Sequence, residues 1–518
     1  MRLFRLLPAL ALCWPALPAP PPAKPKLVVV VVVDQFRYDY LTRFRQEYQA
    51  GFAKMLEGGA VFTNAHYLQA PTVTAVGHSI VMTGAMPAVS GIAGNAWFDR
   101  ASGMQVTSVC DYRFHLLGAK TPPRGASCTD ADPASPDRLE VSTVGDELRN
   151  RHPDSKVVGI SLKARSAILP GGHRANGAYW FDDNSGGFVS SNFYFDGLPE
   201  WVKEFNGRKL ADAYLDRSWE GFPTWNFHST NASRRYERLP ASPWGNELIE
   251  SMAEAAIHGE RLGQRGSTDL LAVSFSSNDY VGHQTGPDSP EVHDMCLRTD
   301  RLLGKLMDAA ERAAGAGNAT FVLTADHGVA PLPAVQEKRK MPGGYIHADS
   351  AGVVNQALSD RFGSGDWVAA GMENVIYLNW KTVGAKKISR AEVMRVAAEA
   401  LLATPALHAA RVYTRDQLLA GVCSDPIGQA ITYGFNAGRS GDLVIVQEPY
   451  WLFGTKGTSH STPYEYDRHV PVIFYGAGIR PGRHVENIAV NDIAPTLASL
   501  LEIEPPSGSS GHVLRQVE

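Results

Sequence analysis

The chain has 518 residues, 44% hydrophobic and 20% charged, with Lys+Arg 49 against Asp+Glu 53 and a formal net charge of −4. That composition excludes a largely disordered chain and supplies ample apolar material for a sizeable core. With no basic excess to hold a phosphate backbone, no nucleic-acid partner is expected.

The first segment concerns address. Arg2 and Arg5 flank an apolar run, Leu6 to Leu17, which Pro8 and Pro15 break and a Pro/Ala-rich stretch follows. Residues 1–24 therefore read as a secretory signal peptide. A membrane span takes about 20 apolar residues, so no transmembrane span is expected, and the mature protein is placed in the periplasm or outside the cell. Cys13 follows Leu12, bulkier than lipid-anchoring cleavage sites prefer, and is not expected to carry a lipid.

From residue 25 onward the pattern is that of one α/β catalytic domain. Leu27 to Val33 is an unbroken apolar run ending in Asp34, as in a central parallel strand buried on both faces. A polar turn containing Thr74 leads into a segment that can start a helix near Gly77. Cys110, Cys128, Cys296 and Cys423 allow three disulfide connectivities; Cys110–Cys128 closes the easiest loop, and four free thiols fit equally well. Residues 166–242 are aromatic-rich and weakly periodic, and read as an insertion over the substrate region. Leu270 to Phe275 and Thr320 to Thr324 repeat the strand grammar, ahead of Asp279 and His283 and of Asp326 and His327. Between them Met295, Leu302, Leu303, Leu306, Met307 and Ala310 share one helix face. Residues from about 374 to 451 carry their own strand–helix–strand pattern, a small α/β subdomain, and a last strand spans Pro471 to Tyr475. Two sequons, at Asn231 and Asn318, are too short a pattern to carry weight. Strands alternating with amphipathic helices predict a doubly wound, mostly parallel central sheet flanked by helices.

Such sheets gather their chemistry at the carboxyl ends of the strands. Asp34, Asp279 and Asp326 all lie just past predicted strands, with His283, His327 and His460 as imidazole partners. Asp279 and His283 are four apart and face the same way on a helical turn. Three carboxylates and three imidazoles make two sets of N/O ligands, a mixture that suits zinc with open positions. Taken singly, each of these residues reads equally well as a structural hydrogen bond or a solvated face. Thr74 reads either as an N-cap or as a hydroxyl poised at a helix N-terminus, where free N–H groups suit a phosphate. Only a base or a metal would make it a nucleophile.

Taken together, the motifs resemble the alkaline phosphatase superfamily, specifically its secreted single-threonine zinc alkaline phosphatases of the PafA/PhoK type. The resemblance rests on Val33-Asp34-Gln35-Phe36-Arg37, Thr72-Val73-Thr74-Ala75-Val76-Gly77-His78, Gly94-Asn95-Ala96-Trp97, Ser161-Leu162-Lys163-Ala164-Arg165, Ser277-Asn278-Asp279-Tyr280-Val281-Gly282-His283, Thr324-Ala325-Asp326-His327-Gly328 and Gly457-Thr458-Ser459-His460. These run in family order across nearly the whole mature chain; Val76 departs from a frequent proline. The resemblance implies two zinc ions per chain. Asp279, His283 and His460 would hold one; Asp34, Asp326 and His327 the other, completed by Thr74 Oγ. It makes Thr74 the nucleophile, through a phosphothreonine, and Asn95, Lys163 and Arg165 contacts of the transferred phosphoryl group. Two cationic side chains match a monoester dianion better than a singly charged diester, so small-molecule phosphate monoesters are the expected substrates, turned over best at alkaline pH by a monomer. The alternatives are a nucleotide pyrophosphatase/phosphodiesterase of the same superfamily, with an apolar leaving-group slot, and, more remotely, a non-catalytic phosphate-binding relative. A sulfatase would need Cys or Ser in place of Thr74.

Overall fold

The valine run is the axis of the fold. In the computed structural model, which describes residues 24–223, 225, 235–372 and 374–518, Leu27–Val33 forms β1 with every residue buried. Six consecutive valines suit a strand covered on both faces: branched side chains pack on a pleated surface, and neither face needs polar groups for water. The expected signal peptide up to residue 23, with Cys13, and the Asn231 sequon lie outside the described residues.

Ala60–Phe62 (β2), Leu116–Leu117 (β3), Val157–Ser161 (β4), Gly177–Asp182 (β5), Gly187–Ser191 (β6), Asp269–Phe275 (β7) and Ala319–Thr324 (β8) share the large sheet with β1. Val368–Met372 (β9), Val375–Leu378 (β10), Ala409–Thr414 (β11) and Leu443–Gln447 (β12) form a separate antiparallel sheet in the order β9-β10-β12-β11. Val472–Gly476 (β13) and Gly482–His484 (β14) then return to the large sheet, whose ten strands run β14-β2-β13-β8-β1-β7-β4-β5-β6-β3. Leu27 pairs with Asp269 on one side and Ala319 on the other, and β8, β1, β7, β4 and β5 are all parallel. Their carboxyl ends therefore open on one edge.

The helices that matter for that edge are Thr74–Thr83 (α1), Ala164–Gly171 (α2), Ser277–Thr285 (α3) and Pro290–Ala314 (α4). Ser350–Phe362 (α5) and Arg390–Leu402 (α6) belong to the small subdomain, and Glu465–Arg468 (α7) precedes β13. All six apolar residues of the expected helix face are buried on α4. Among the described residues no helix is long and apolar enough to cross a membrane.

Four expectations need correction. The run at 471–475, read like the parallel strands, is β13 and pairs antiparallel with both β8 and β2, because an apolar run encodes burial and not direction. Residues 166–242 are not simply an insertion: β5 and β6 extend the main sheet, and their alternation is blurred because β5 is buried on both faces. The small subdomain begins before 374. Its own core joins Val354 and Leu358 of α5 to Trp367, Ile376, Val393 and Leu443, and its first strand, β9, is half exposed and so left no apolar signal. Lastly, α1 starts at Thr74 rather than near Gly77. Cys110 and Cys128 are joined in a disulfide, while Cys296 is a buried and Cys423 a half-buried free thiol.

Candidate active site

Four parallel strands each deliver a polar group to the open edge. Asp34 follows β1, Asp326 and His327 follow β8, Lys163 stands between β4 and α2, and Asp279 sits on the first turn of α3 after β7. His460 arrives from the loop ahead of α7. The structure draws these residues into two neighbouring triads, Asp34/Asp326/His327 and Asp279/His283/His460, with candidate ligand atoms in each within 4.8 Å of one another.

The three imidazoles share one arrangement. Nδ1 of His283 faces the Thr458 carbonyl at 2.7 Å, that of His327 the Gly328 carbonyl at 2.9 Å, and that of His460 the Thr72 carbonyl at 2.8 Å. A carbonyl only accepts, so each Nδ1 carries the proton; His327 and His460 then turn the Nε2 lone pair toward the site, the orientation a metal ligand needs. His283 Nε2 instead lies 3.1 Å from Asp279 Oδ1; burial acts to lower the His283 pKa, yet the Asp279 charge raises it. Burial, with His327 and His283 nearby, holds His460 well below the ordinary histidine value, and burial lowers His327 too, which keeps both neutral.

The carboxylates are crowded. Burial and then Asp326 push Asp34 well above the ordinary carboxylate range, although Lys163 pulls the other way. Burial acts to raise Asp279 as well, yet His283 and Lys163 hold it well below that range. Lys163 Nζ lies 2.6 Å from Asp34 Oδ2 and 2.6 Å from Asp279 Oδ2, one carboxylate from each triad. Three buried carboxylates thus face one ammonium, an uncompensated negative charge that burial makes costly.

Where that charge is least satisfied, the polar atoms have no hydrogen-bond partner among the described residues: Asp34 Oδ1, Asp326 Oδ2 and His327 Nε2 are all buried and orphaned. His327 Nε2 stands 3.6 Å from Asp34 Oδ1 and 3.4 Å from Asp326 Oδ2, longer than ordinary hydrogen bonds. Buried orphans are rare, and three converging on one point are the donor set a divalent cation satisfies. The residues of this triad therefore fit a divalent metal ion.

Thr74 is tied to both triads through its chain neighbours. Thr72, two residues before it, accepts from His460; Gly77, three residues after it, packs so closely on Asp326 that a Cβ there would meet the Asp326 carbonyl oxygen at 2.2 Å. The helix start is explained from outside: Asn95 Oδ1 accepts the Ala75 N–H at 2.8 Å, and the N-cap residue Val73 contributes no side-chain bond. With the cap supplied by Asn95, the buried Thr74 hydroxyl is not spent on it. Arg165 also reaches this edge, where its guanidinium pairs with Asp130.

Several contributors carried no signal of their own in the sequence. Gln35, in a left-handed conformation at φ 59°, donates its backbone N–H to Asp326 Oδ1 at 3.0 Å and its Nε2 to Asp279 Oδ1 at 2.7 Å, linking the triads. His78 spans the Thr74 carbonyl and Ser274 Oγ. A cavity of about 430 Å³ adjoins Asn95, lined by Val73, Trp97, Met372, Ile431 and Phe435, where the small subdomain meets the main body.

Comparison with known proteins places the chain in a family. Residues 28–470 match the model of the type I phosphodiesterase / nucleotide pyrophosphatase family. The chain is 36% identical over 525 residues to alkaline phosphatase PafA of Elizabethkingia meningoseptica, covering 95% of this chain and 94% of that one. It is 36% identical over 522 residues to alkaline phosphatase PhoV of Synechococcus elongatus, covering 95% and 92%. The crystal structure of wild-type alkaline phosphatase PafA superposes with a TM-score of 0.88 at 35% identity, over 96% of this chain and 99% of that one.

Proposed function

The chain belongs to the type I phosphodiesterase / nucleotide pyrophosphatase family, and from that premise we propose that it is an exported, zinc-dependent alkaline phosphatase that hydrolyses small phosphate monoesters through Thr74. One observation carries the reading: two Asp/His triads, bridged by a buried lysine, flank a threonine at a helix N-terminus. Asp34, Asp326 and His327 would hold one zinc and Asp279, His283 and His460 the other, with Thr74 Oγ completing the first set. When bound, such a pair supplies Lewis-acid stabilisation to the attacking and leaving oxygens of an in-line displacement.

The remaining work falls to the chain itself. Thr74 Oγ loses its proton to solvent and forms the bond to phosphorus as the bond to the leaving alkoxide breaks, the alkoxide taking a proton from water and the chain left as a phosphothreonine. Attack by water on phosphorus then breaks the Thr74 Oγ–P bond, releases phosphate and, with one proton returned to Oγ, restores the hydroxyl. Free N–H groups at the start of α1 and the positive end of its dipole favour an anion there. Asn95, Lys163 and Arg165 bind the non-bridging oxygens, and Asp130 positions Arg165. Charge sets the substrate class. Lys163 and Arg165 offer two cationic side chains to the non-bridging oxygens, which match a phosphomonoester dianion better than a diester monoanion.

A second reading has an observation of its own. The matching family model is named for phosphodiesterases, and the apolar cavity beside Asn95 could seat a second organic group. Turnover of p-nitrophenyl phosphate against bis-p-nitrophenyl phosphate separates the two. The monoester is expected to have the higher kcat/KM, by on the order of 100-fold from the extra charge-assisted contacts; faster diester cleavage would replace the first reading with the second.

A further inference from the structure

Away from the two triads, a third group of ligand-type side chains converges on the other side of the segment that follows His460. His66 lies in the two-residue strand Ala65–His66, and its backbone forms an antiparallel bridge with His469. Residues opposite one another in such a bridge put their side chains on the same face, about 4.5–5.5 Å apart at Cβ. The two imidazoles accordingly stack with centroids 4.6 Å apart. Glu465 is four residues before His469 across the single turn of α7, the spacing that brings its carboxylate to the same face. Its Oε1 lies 2.5 Å from His66 Nε2 and 3.9 Å from His469 Nδ1.

The rings are held in place. His469 Nε2 donates to the Thr63 carbonyl at 3.0 Å, which fixes the tautomer and turns the Nδ1 lone pair toward Glu465. The arrangement mirrors that of His327 and His460, where a backbone carbonyl takes one ring nitrogen and frees the other. Tyr38 stacks on the remaining face of His469 at 4.6 Å, so the ring cannot swing away. A plain surface ion pair would need only His66 and Glu465; it would not need a second imidazole locked against them with its lone pair inward.

We propose that His66, Glu465 and His469 form a third metal site, a surface site for a zinc-class divalent cation with its remaining positions open to solvent. Two imidazoles and one carboxylate suit zinc.

The test is equilibrium dialysis of the full-length enzyme against buffered micromolar free zinc, followed by elemental analysis. Wild type is expected to retain one zinc per chain more than His66→Ala and to be stabilised by zinc to a higher melting temperature. Because Glu465 is largely exposed, Glu465→Gln leaves the packing intact and should lose the same equivalent even if His66→Ala folds poorly. Equal zinc content in wild type and Glu465→Gln would overturn the proposal. The readout is a difference between proteins, so it stands or falls independently of how many ions the Thr74 site holds.

Discussion

The two triads flanking Thr74 are built differently. Asp34, Asp326 and His327 stand at the ends of two central strands, fully buried, and three of their polar atoms have no hydrogen-bond partner among the described residues. Asp279, His283 and His460 come from a helix and a loop. There Asp279 is already served by Gln35, Lys163 and His283, and the His283 side chain is 36% exposed. At the strand-end triad Lys163 and the Gln35 N–H serve only one oxygen each of Asp34 and Asp326, so the orphaned atoms have most to gain from a cation, whereas at the helix-and-loop triad Asp279 is served by three groups. One sheet edge offers both a rigid position and an adaptable one, with the nucleophile candidate between them.

The largest expected effect tests what the triads share. Thr74→Ala should reduce monoester turnover by about 10³-fold or more while leaving bound metal near the wild-type level. Substantial residual turnover would remove Thr74 as nucleophile and leave the triads without their common object.

A smaller effect separates the triads. Each buried polar atom left unsatisfied costs about 1–3 kcal/mol, so the ion at the strand ends should be held at least tenfold more tightly than its neighbour. Chelation of the Glu465→Gln variant, in which the surface site does not contribute, should release one equivalent quickly together with activity and a second slowly. Simultaneous release would mean that the orphaned atoms do not distinguish the sites.

The effect furthest from the chemistry concerns the loop that carries His460. Asp467 Oδ2 accepts from the Thr462 N–H at 2.8 Å and from its hydroxyl at 2.6 Å. Burial outweighs these bonds and pushes the Asp467 carboxyl up to about 7 from an ordinary 3.8. The folded chain then binds this proton more tightly than the unfolded chain, so stability declines as pH rises from about 4 through about 7, by roughly 2–4 kcal/mol at this residue. Asp467→Asn should flatten that decline in denaturant titrations of chelated protein; parallel pH profiles for the two proteins would contradict it.

How much of this could be read from the sequence follows the same division. Asp34 and the Asp326-His327 pair stand out because each ends a short apolar run, a local pattern that also reports burial. Asp279 and His283 stand out through their spacing of four. His460 has no such context, and only its place in a familiar order of motifs drew it in. The bonds that tune the site were invisible: Gln35 reaches Asp279 across 244 positions, and Asp130, which holds Arg165, is one acid in an unremarkable loop. The start of α1 is equally hidden from local sequence, since its cap comes from Asn95, 20 residues downstream of Ala75. Strand direction fared no better at residues 472–476, where the sequence reports an apolar run and the pairing partners decide its sense.

Anomalous diffraction at the zinc edge from crystals grown with zinc tests the central claim most directly. Two peaks beside Thr74 are expected, one among Asp34, Asp326 and His327 and one among Asp279, His283 and His460. Active crystals with no peak at either triad would contradict it.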